Sequence, residues 1–341
     1  MTATDRVEAA VADRRELVND AIAEQLPVKH PERLYDASRY LLDAGGKRLR
    51  PTVLLLTAEA VSEVEPMAAD YRAFPSPAGG DVDVLTAAVA IEVIQSFTLI
   101  HDDIMDDDDL RRGVPAVHRE YDLETAILAG DTLYSKAFEY MLDTGAPAGR
   151  SVRALDELAT TCTEICEGQA LDVDFENREA VTTDQYLEMV ECKTAVLYAA
   201  ASAIPAILLG ADDETVEALH GYGLDVGRAF QIQDDLLDLT VASDALGKQR
   251  GSDLVEGKQT IVTLHARDHG VDVDGLVGDD PTAAEIDAAV ERLEAAGSVD
   301  HARELAEELV ESGKRRLEVL PQCEAHGLLG DVADFLVERG Y

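Results

Sequence analysis

The stretch from Gln95 to His118, QSFTLIHDDIMDDDDLRRGVPAVH, constrains this chain more than any other. An apolar run holding Phe97, Leu99 and Ile100 leads into Asp102, Asp103 and Asp106, and the acid stops at Arg111-Arg112-Gly113. On a helix, Asp102 and Asp106 lie one turn apart on one face, with Asp103 beside them. Like charges at that spacing repel, so a helix that carries them calls for a compensating cation. A few oxygen ligands suit a Mg²⁺ ion that keeps its waters and shares a phosphate. The arginine pair beyond suits fork-shaped contacts with phosphate oxygens. The competing reading is a solvated acidic face.

A second stretch answers the first. Phe230 to Asp238, FQIQDDLLD, repeats the Asp-Asp-x-x-Asp spacing at Asp234, Asp235 and Asp238. Each cluster follows an apolar run, which predicts two facing helices with carboxylates around a shared cavity. Carboxylates buried in that number cannot stay ionised without cations. Such a site would hold a diphosphate through bridging Mg²⁺. The lysines offer an independent signal, because the chain has only seven: Lys29, Lys47, Lys136, Lys193, Lys248, Lys258 and Lys314. Four of them, Lys47, Lys193, Lys248 and Lys258, fall in or beside segments suited to phosphate chemistry.

Composition excludes several functions. Lys plus Arg is 29 against 69 for Asp plus Glu, a net charge of −40 over 341 residues. That balance argues against nucleic acid and anionic membranes as partners, since both need a basic footprint. It fits a protein working in high salt. The four cysteines form no CxxC pair, so neither a zinc site nor a disulfide scaffold is indicated. Cys162 and Cys166, one helical turn apart, read as small buried residues. The N-terminus is charged and lacks a signal-peptide core, and the apolar run Ala195 to Ala211 is short for a membrane span and contains Pro205. It reads as a buried core helix with no transmembrane role, in a cytoplasmic protein.

Helical periodicity dominates. Val7, Ala10, Val11, Leu17 and Ile22 mark one amphipathic helix, and Leu34, Ser38, Leu41 and Leu42 a second, stopped by Gly45-Gly46. Lys47-Arg48-Leu49-Arg50-Pro51 follows, with Pro51 placed to begin the next helix. Residues 65–83 read as a loop, and further helices are expected over 85–108, 124–142, 151–175, 184–208 and 214–239. A polar loop over 242–257 and shorter C-terminal helices complete an all-α chain in which nothing alternates as a strand. One domain is expected over 1–341, with an N-terminal helix over about 1–28, a core over 31–270 and C-terminal helices over 280–341.

These motifs resemble those of the trans-isoprenyl diphosphate synthases, the family of farnesyl and geranylgeranyl diphosphate synthases. GGKRLRP at Gly45 to Pro51 resembles the family's isopentenyl-diphosphate loop. DDIMDDDDLRRG and FQIQDDLLD resemble its two aspartate-rich motifs. Gly168-Gln169 with Asp172, Lys193-Thr194, and Lys248, Gly251-Ser252-Asp253 and Lys258 fall where the family has its remaining elements. A single DDxxD motif is weak evidence in so acidic a chain; the six different motifs together, in family order, are specific.

The resemblance implies a bundle of long helices around a central cavity, usually a homodimer. It implies that an allylic diphosphate loses pyrophosphate and that isopentenyl diphosphate attacks the resulting cation. Asp102, Asp106 and Asp234 would hold Mg²⁺, with Asp103, Asp172, Asp235 and Asp238 around them. Arg111, Lys193, Lys258 and Lys248 would hold the allylic diphosphate, while Thr194, Gln169 and Gln231 face the cation. Lys47, Arg50 and Arg112 would hold the second diphosphate without metal. Gln95 stands where many members have histidine.

Phe97, five positions before Asp102 and about 7–8 Å deeper on a helix, would floor the pocket for the growing chain. With the small Thr98 beside it, this resembles archaeal geranylgeranyl synthases; two aromatics would indicate farnesyl. A class I terpene cyclase needs no second diphosphate site, and a catalytically silent subunit loses motif aspartates, none of which is missing here.

Overall fold

A computed structural model describes residues 2–175, 178, 181–241, 250–278 and 281–338, and helices dominate it. The first is α1 (Ala3–Gln25), opened by a capping box between Thr2 and Asp5. Its buried stripe holds Val7, Ala10, Val11, Val18 and Ile22, but also Arg14, while Leu17 lies at the edge. α2 (Glu32–Asp43) ends before Gly45 and Gly46, whose φ values of 104° and 147° favour residues without a Cβ. α3 (Leu49–Val61) carries Pro51 in its first turn, where a missing N–H matters least.

The expectation of no strands is corrected in two places. β1 (Phe74–Pro75) pairs with β2 (Asp81–Val82), and β3 (Leu110–Arg111) with β4 (Val114–Pro115), all antiparallel. Two-residue strands are too short to show alternation. Between these pairs lies α4 (Val84–Met105), N-capped by Asp83, whose side chain accepts from the Thr86 N–H at 2.7 Å. Then come α5 (Val117–Glu120), α6 (Leu123–Leu142), α7 (Ala148–Phe175), α8 (Thr183–Val190), a π-helical turn at Glu191–Ala195, and α9 (Val196–Leu209). α10 (Asp213–Thr240), α11 (Ser252–Val255), α12 (Ile261–Asp268), α13 (Ala283–Ala295), α14 (Ser298–Arg316) and α15 (Glu324–Glu338) complete the fold.

The chain forms two compact units. One comprises Met1–Cys162, Ala200–His220 and Glu318–Val332; the other comprises Thr163–Ala199, Gly221–Leu317 and Ala333–Tyr341. In the first, α4 packs against α1, α3 and α6 and is buried on every side along most of its length, as its all-round apolar sequence requires. In the second, Gly223 and Gly227 of α10 lie against the backbone of Tyr198, Ala199 and Ala195, where any side chain would collide.

Two stretches, Val84–Met105 and Thr183–Leu209, are long and apolar enough to cross a membrane. Their most apolar windows are 78% and 89% buried inside the protein, the pattern of core helices. Cys162 is buried as expected, but Cys166 is exposed. The inward stripe of α7 continues through Ile165, Gly168 and Gln169 instead.

Candidate active site

The last turn of α4 presents the first acidic set. Asp106 caps the helix and donates its N–H to the Asp102 carbonyl at 2.8 Å, so these two residues do share one face. The chain then reverses through Asp107, at a φ of 56°, and the helix stops short of Asp108. A two-residue turn with positive φ at both Arg112 (53°) and Gly113 (77°) joins β3 to β4, the geometry that suits a tight hairpin. This hairpin swings Arg111 back, so that its Nε donates to Asp103 Oδ1 at 2.6 Å and its Nη2 to Asp108 Oδ2 at 2.9 Å. Arg119 engages Asp107 and Asp109, accounting for two more acids of the run.

Asp103 is fully buried. Burial pushes its carboxyl above the ordinary value, against the pull of Arg111, and its Oδ2 has no hydrogen-bond partner among the described residues. Asp102 is half-buried and Asp106 exposed.

The cationic loop between α2 and α3 splits its three cations. Lys47 is exposed and Arg50 half-buried, whereas Arg48 is buried, an assignment the sequence did not make. Arg48 donates Nη1 to Glu92 Oε1 at 2.5 Å, Nη2 to the Leu42 carbonyl at 2.6 Å and Nε to Asn19 Oδ1 at 2.9 Å. Arg112 lies over the same loop and donates to the carbonyls of Leu41 (3.1 Å) and Gly45. Gln95 is half-buried one turn beyond Glu92 on α4.

Deeper in α4, the Phe97 ring meets His101 and Tyr134 edge-on, with centroids 4.8 and 5.2 Å apart, and Tyr134 meets Phe138 at 5.1 Å. Thr98 is half-buried, its hydroxyl donating to the Gln95 carbonyl at 2.9 Å.

In the second unit the π-helical turn sets the geometry. One extra residue per turn re-aims side chains, a device frequent at functional sites. Gly168 of α7 sits directly against this turn, and a Cβ there would collide with the Lys193 backbone nitrogen. Lys193 reaches Asp172 at 2.5 Å. Thr194 donates its hydroxyl to Gln231 Oε1 at 2.9 Å, and Gln231 donates Nε2 to Asp235 Oδ1 at 3.0 Å. The buried Tyr186 hydroxyl, which the sequence did not single out, donates to Asp235 Oδ2.

Asp172, Lys193, Gln231, Asp235, Asp253 and Lys258 line one cavity of about 130 Å³. Burial and the nearby Asp253 charge push the Asp235 carboxyl up to about 7. Asp238 is buried and accepts from Ser252 Oγ (2.7 Å) and the Asp253 N–H (3.1 Å), anchoring α11. Lys258 pairs with Glu256 at 2.9 Å. Gln169 is buried and Asp234 half-buried. Lys248 lies outside the described residues.

Among the described residues no three acidic, histidine or cysteine side chains form a ready metal cage. The donors still fit a hard cation. Asp103 offers a buried, unpartnered carboxylate oxygen, and Asp235 is desolvated. Mg²⁺ takes one or two carboxylates plus waters and substrate phosphates, without a full protein cage.

Helices ending in two aspartate-rich sets, with a separate cationic loop, define a helical synthase acting on diphosphates. The chain belongs to the polyprenyl synthetase family, whose model matches residues 31–293, and it is a short-chain trans-prenyltransferase with the all-α isoprenoid synthase fold. It is 79% identical over 341 residues, the full length of both chains, to the geranylfarnesyl diphosphate synthase of Natronomonas pharaonis. It is 50% identical to the geranylgeranyl diphosphate synthase of Methanosarcina mazei, covering all of this chain and 99% of that one. The Corynebacterium glutamicum geranylgeranyl pyrophosphate synthase, solved with isoprenyl diphosphate and magnesium, is 28% identical with a TM-score of 0.81, over 98% of this chain and 99% of that one.

Proposed function

We propose that this protein joins isopentenyl diphosphate to an allylic diphosphate (dimethylallyl, geranyl or farnesyl) and releases mainly geranylgeranyl diphosphate. The observation that carries the reading is the presence of two acidic sets, each with a desolvated member (Asp103, Asp235), together with cations suited to phosphate. In the reaction the allylic C–O bond breaks and pyrophosphate departs. The double bond of isopentenyl diphosphate attacks the cation, and a proton leaves for the released pyrophosphate. Mg²⁺, when bound, neutralises charge developing on that leaving group.

Asp102, Asp106 and Asp234 would hold the metal, with Asp103, Asp172, Asp235 and Asp238 supporting them. Arg111, Lys193 and Lys258, with Lys248, would hold the allylic diphosphate. Lys47, Arg50, Gln95 and Arg112 would hold isopentenyl diphosphate. Thr194, Gln169 and Gln231 would present oxygens to the allylic cation. We take the protein as cytoplasmic and as a homodimer, and the apolar Leu123, Leu128 and Leu142 exposed along α6 support the second of these.

Labelled isopentenyl diphosphate, offered with each allylic primer in high salt with Mg²⁺, tests the reading. Metal-dependent elongation is expected, and its absence from folded protein with every primer would discard it. A geranylfarnesyl product is the second reading, favoured by the relative at 79% identity. Replacing Phe97 by Ala opens the floor between α4 and α6 and is expected to lengthen the product by at least one isoprene unit. Chromatography of the dephosphorylated products checks this, and an unchanged product spectrum removes Phe97 as the floor.

A net charge of −40 repels itself, and the Debye length shrinks from about 10 Å at 0.1 M salt to about 3 Å at 1 M. Activity should therefore rise between those concentrations. Full activity in dilute buffer would contradict it.

A further inference from the structure

Glu92 lies inside α4, about three turns before the first acidic set, and only 3% of it is exposed. A buried carboxylate is unfavourable unless paired and hydrogen-bonded. Two guanidiniums supply the pairing. Arg48 Nη1 lies 2.5 Å from Glu92 Oε1 and Arg112 Nη2 lies 3.7 Å from the same oxygen.

Both arginines also grip the backbone of the cationic loop. Arg48 takes the carbonyls of Leu42 and Gly45 (3.3 Å), and Arg112 those of Leu41 and Gly45. Gly46 makes room for them. A Cβ there would stand 2.9 Å from Arg112 Cζ and 3.0 Å from Arg48 Nη1. Two cations, one carboxylate and one loop are thus packed as a unit.

The charges divide the labour. Arg48 is only 3% exposed and its three nitrogens make four hydrogen bonds to protein partners, so at most one of its five N–H donors is left for a substrate. Arg112 keeps a side chain about one-fifth exposed and makes only the longer contact with Glu92. Burial lowers its basicity, with Arg48, Arg111 and Arg50 adding to the effect and Glu92 opposing it. Without the carboxylate, the two guanidiniums would repel across a shared carbonyl and the loop bearing Lys47 and Arg50 would lose its clamp.

We infer that Glu92 is a positioning residue for the isopentenyl diphosphate site. Through Arg48 it fixes the loop that bears Lys47 and Arg50, and through charge it holds Arg112 toward the second diphosphate. This rests on the proposed assignment of Lys47, Arg50 and Arg112 to that substrate. The consequence is selective: binding of isopentenyl diphosphate depends on Glu92, and binding of the allylic diphosphate does not.

Steady-state kinetics of full-length E92Q, E92D, R112A and E92Q/R112A, varying each substrate in turn, test the inference. E92Q should raise the KM for isopentenyl diphosphate about tenfold, the scale of one charge-assisted hydrogen bond. Its kcat and allylic KM should stay within about twofold, the signature of a lost ground-state contact with one substrate only. E92D keeps the charge and should fall between wild type and E92Q. Should E92Q fail to fold, E92D carries the test, with the same selective rise supporting the inference and unchanged constants overturning it. The double variant should lose little beyond the larger single effect, because the two residues act as one unit.

An E92Q enzyme with unchanged KM for isopentenyl diphosphate overturns the inference, as does an equal rise for both substrates. R112A separates the underlying assignment. If R112A raises that KM and E92Q does not, only Glu92 is wrong. If R112A leaves it unchanged, the assignment of Arg112 and the charge half of the inference fall together.

Discussion

Replacing Lys193 by Ala should lower kcat by about 10²–10³-fold, the loss typical of removing one preorganised donor to developing charge, while leaving the fold intact. The reasoning starts from the backbone. Gly168 lets α7 approach the π-helical turn closely, and the turn aims Lys193 into the cavity that also holds Gln231 and Asp235. Its ammonium rests against Asp172, so the cation is oriented before substrate arrives.

In the proposed reaction, pyrophosphate gains charge as the allylic C–O bond lengthens. A fixed ammonium therefore interacts more strongly with the transition state than with the bound substrate, and its removal appears in kcat. Lysine at this position is a compact charge, so Lys193→Arg should recover part of the loss, limited by the planar fork of the guanidinium. Rapid-quench single turnovers isolate the chemical step. A single-turnover rate within about threefold of wild type, far short of the expected loss, would remove Lys193 from the reaction. Because the side chain is about one-quarter exposed, the unfolding midpoint should barely move.

Much of this arrangement is legible in the amino-acid sequence. Period and glycine punctuation mark the long helices, and repeated Asp-Asp-x-x-Asp spacing marks the acidic sets. What stays hidden depends on contacts between residues distant in the chain. GGKRLRP reads as three equivalent cations, yet the backbone turn at Arg48, with φ of 55°, sends that side chain inward to Glu92 while Lys47 stays outside. Glu92 itself looks like an isolated polar interruption in an apolar helix. That interruption is the available signal, since an unpaired acid there would not be tolerated. Tyr186 carries no signal at all, because its meaning lies in a hydrogen bond to Asp235, 49 residues away. The π-helical turn is equally silent, as nothing in Glu191-Cys192-Lys193-Thr194-Ala195 distinguishes it from an ordinary helical turn.

The largest stability effect should come from a second buried acid of the same kind. Glu59 and Arg14 have side-chain exposures of 0% and 1%. Arg14 Nη2 donates to both Glu59 oxygens, at 2.7 and 2.6 Å, and Nη1 donates to the Ala10 carbonyl at 3.0 Å. The Tyr71 hydroxyl donates to Glu59 as well, and the neighbouring carboxylate, after burial, raises the basicity of that phenol. Removing either charged partner leaves the other buried and uncompensated. Arg14→Met and Glu59→Leu should each lower the free energy of unfolding by about 3–5 kcal/mol.

The double variant Arg14→Met/Glu59→Leu should behave differently. It buries no charge, and apolar side chains of similar size can replace an ion pair at little loss. It still takes the carboxylate acceptor from the Tyr71 hydroxyl, leaving it the Met67 N–H at 3.2 Å and the weakly accepting Met67 Sδ at 3.4 Å, which would cost about 1–3 kcal/mol. The double variant is therefore expected to be more stable than either single variant and less stable than the wild type, as read by denaturant unfolding at fixed salt. If the double loses the sum of the two singles, the pair is not coupled, and the buried charges are held by something other than each other.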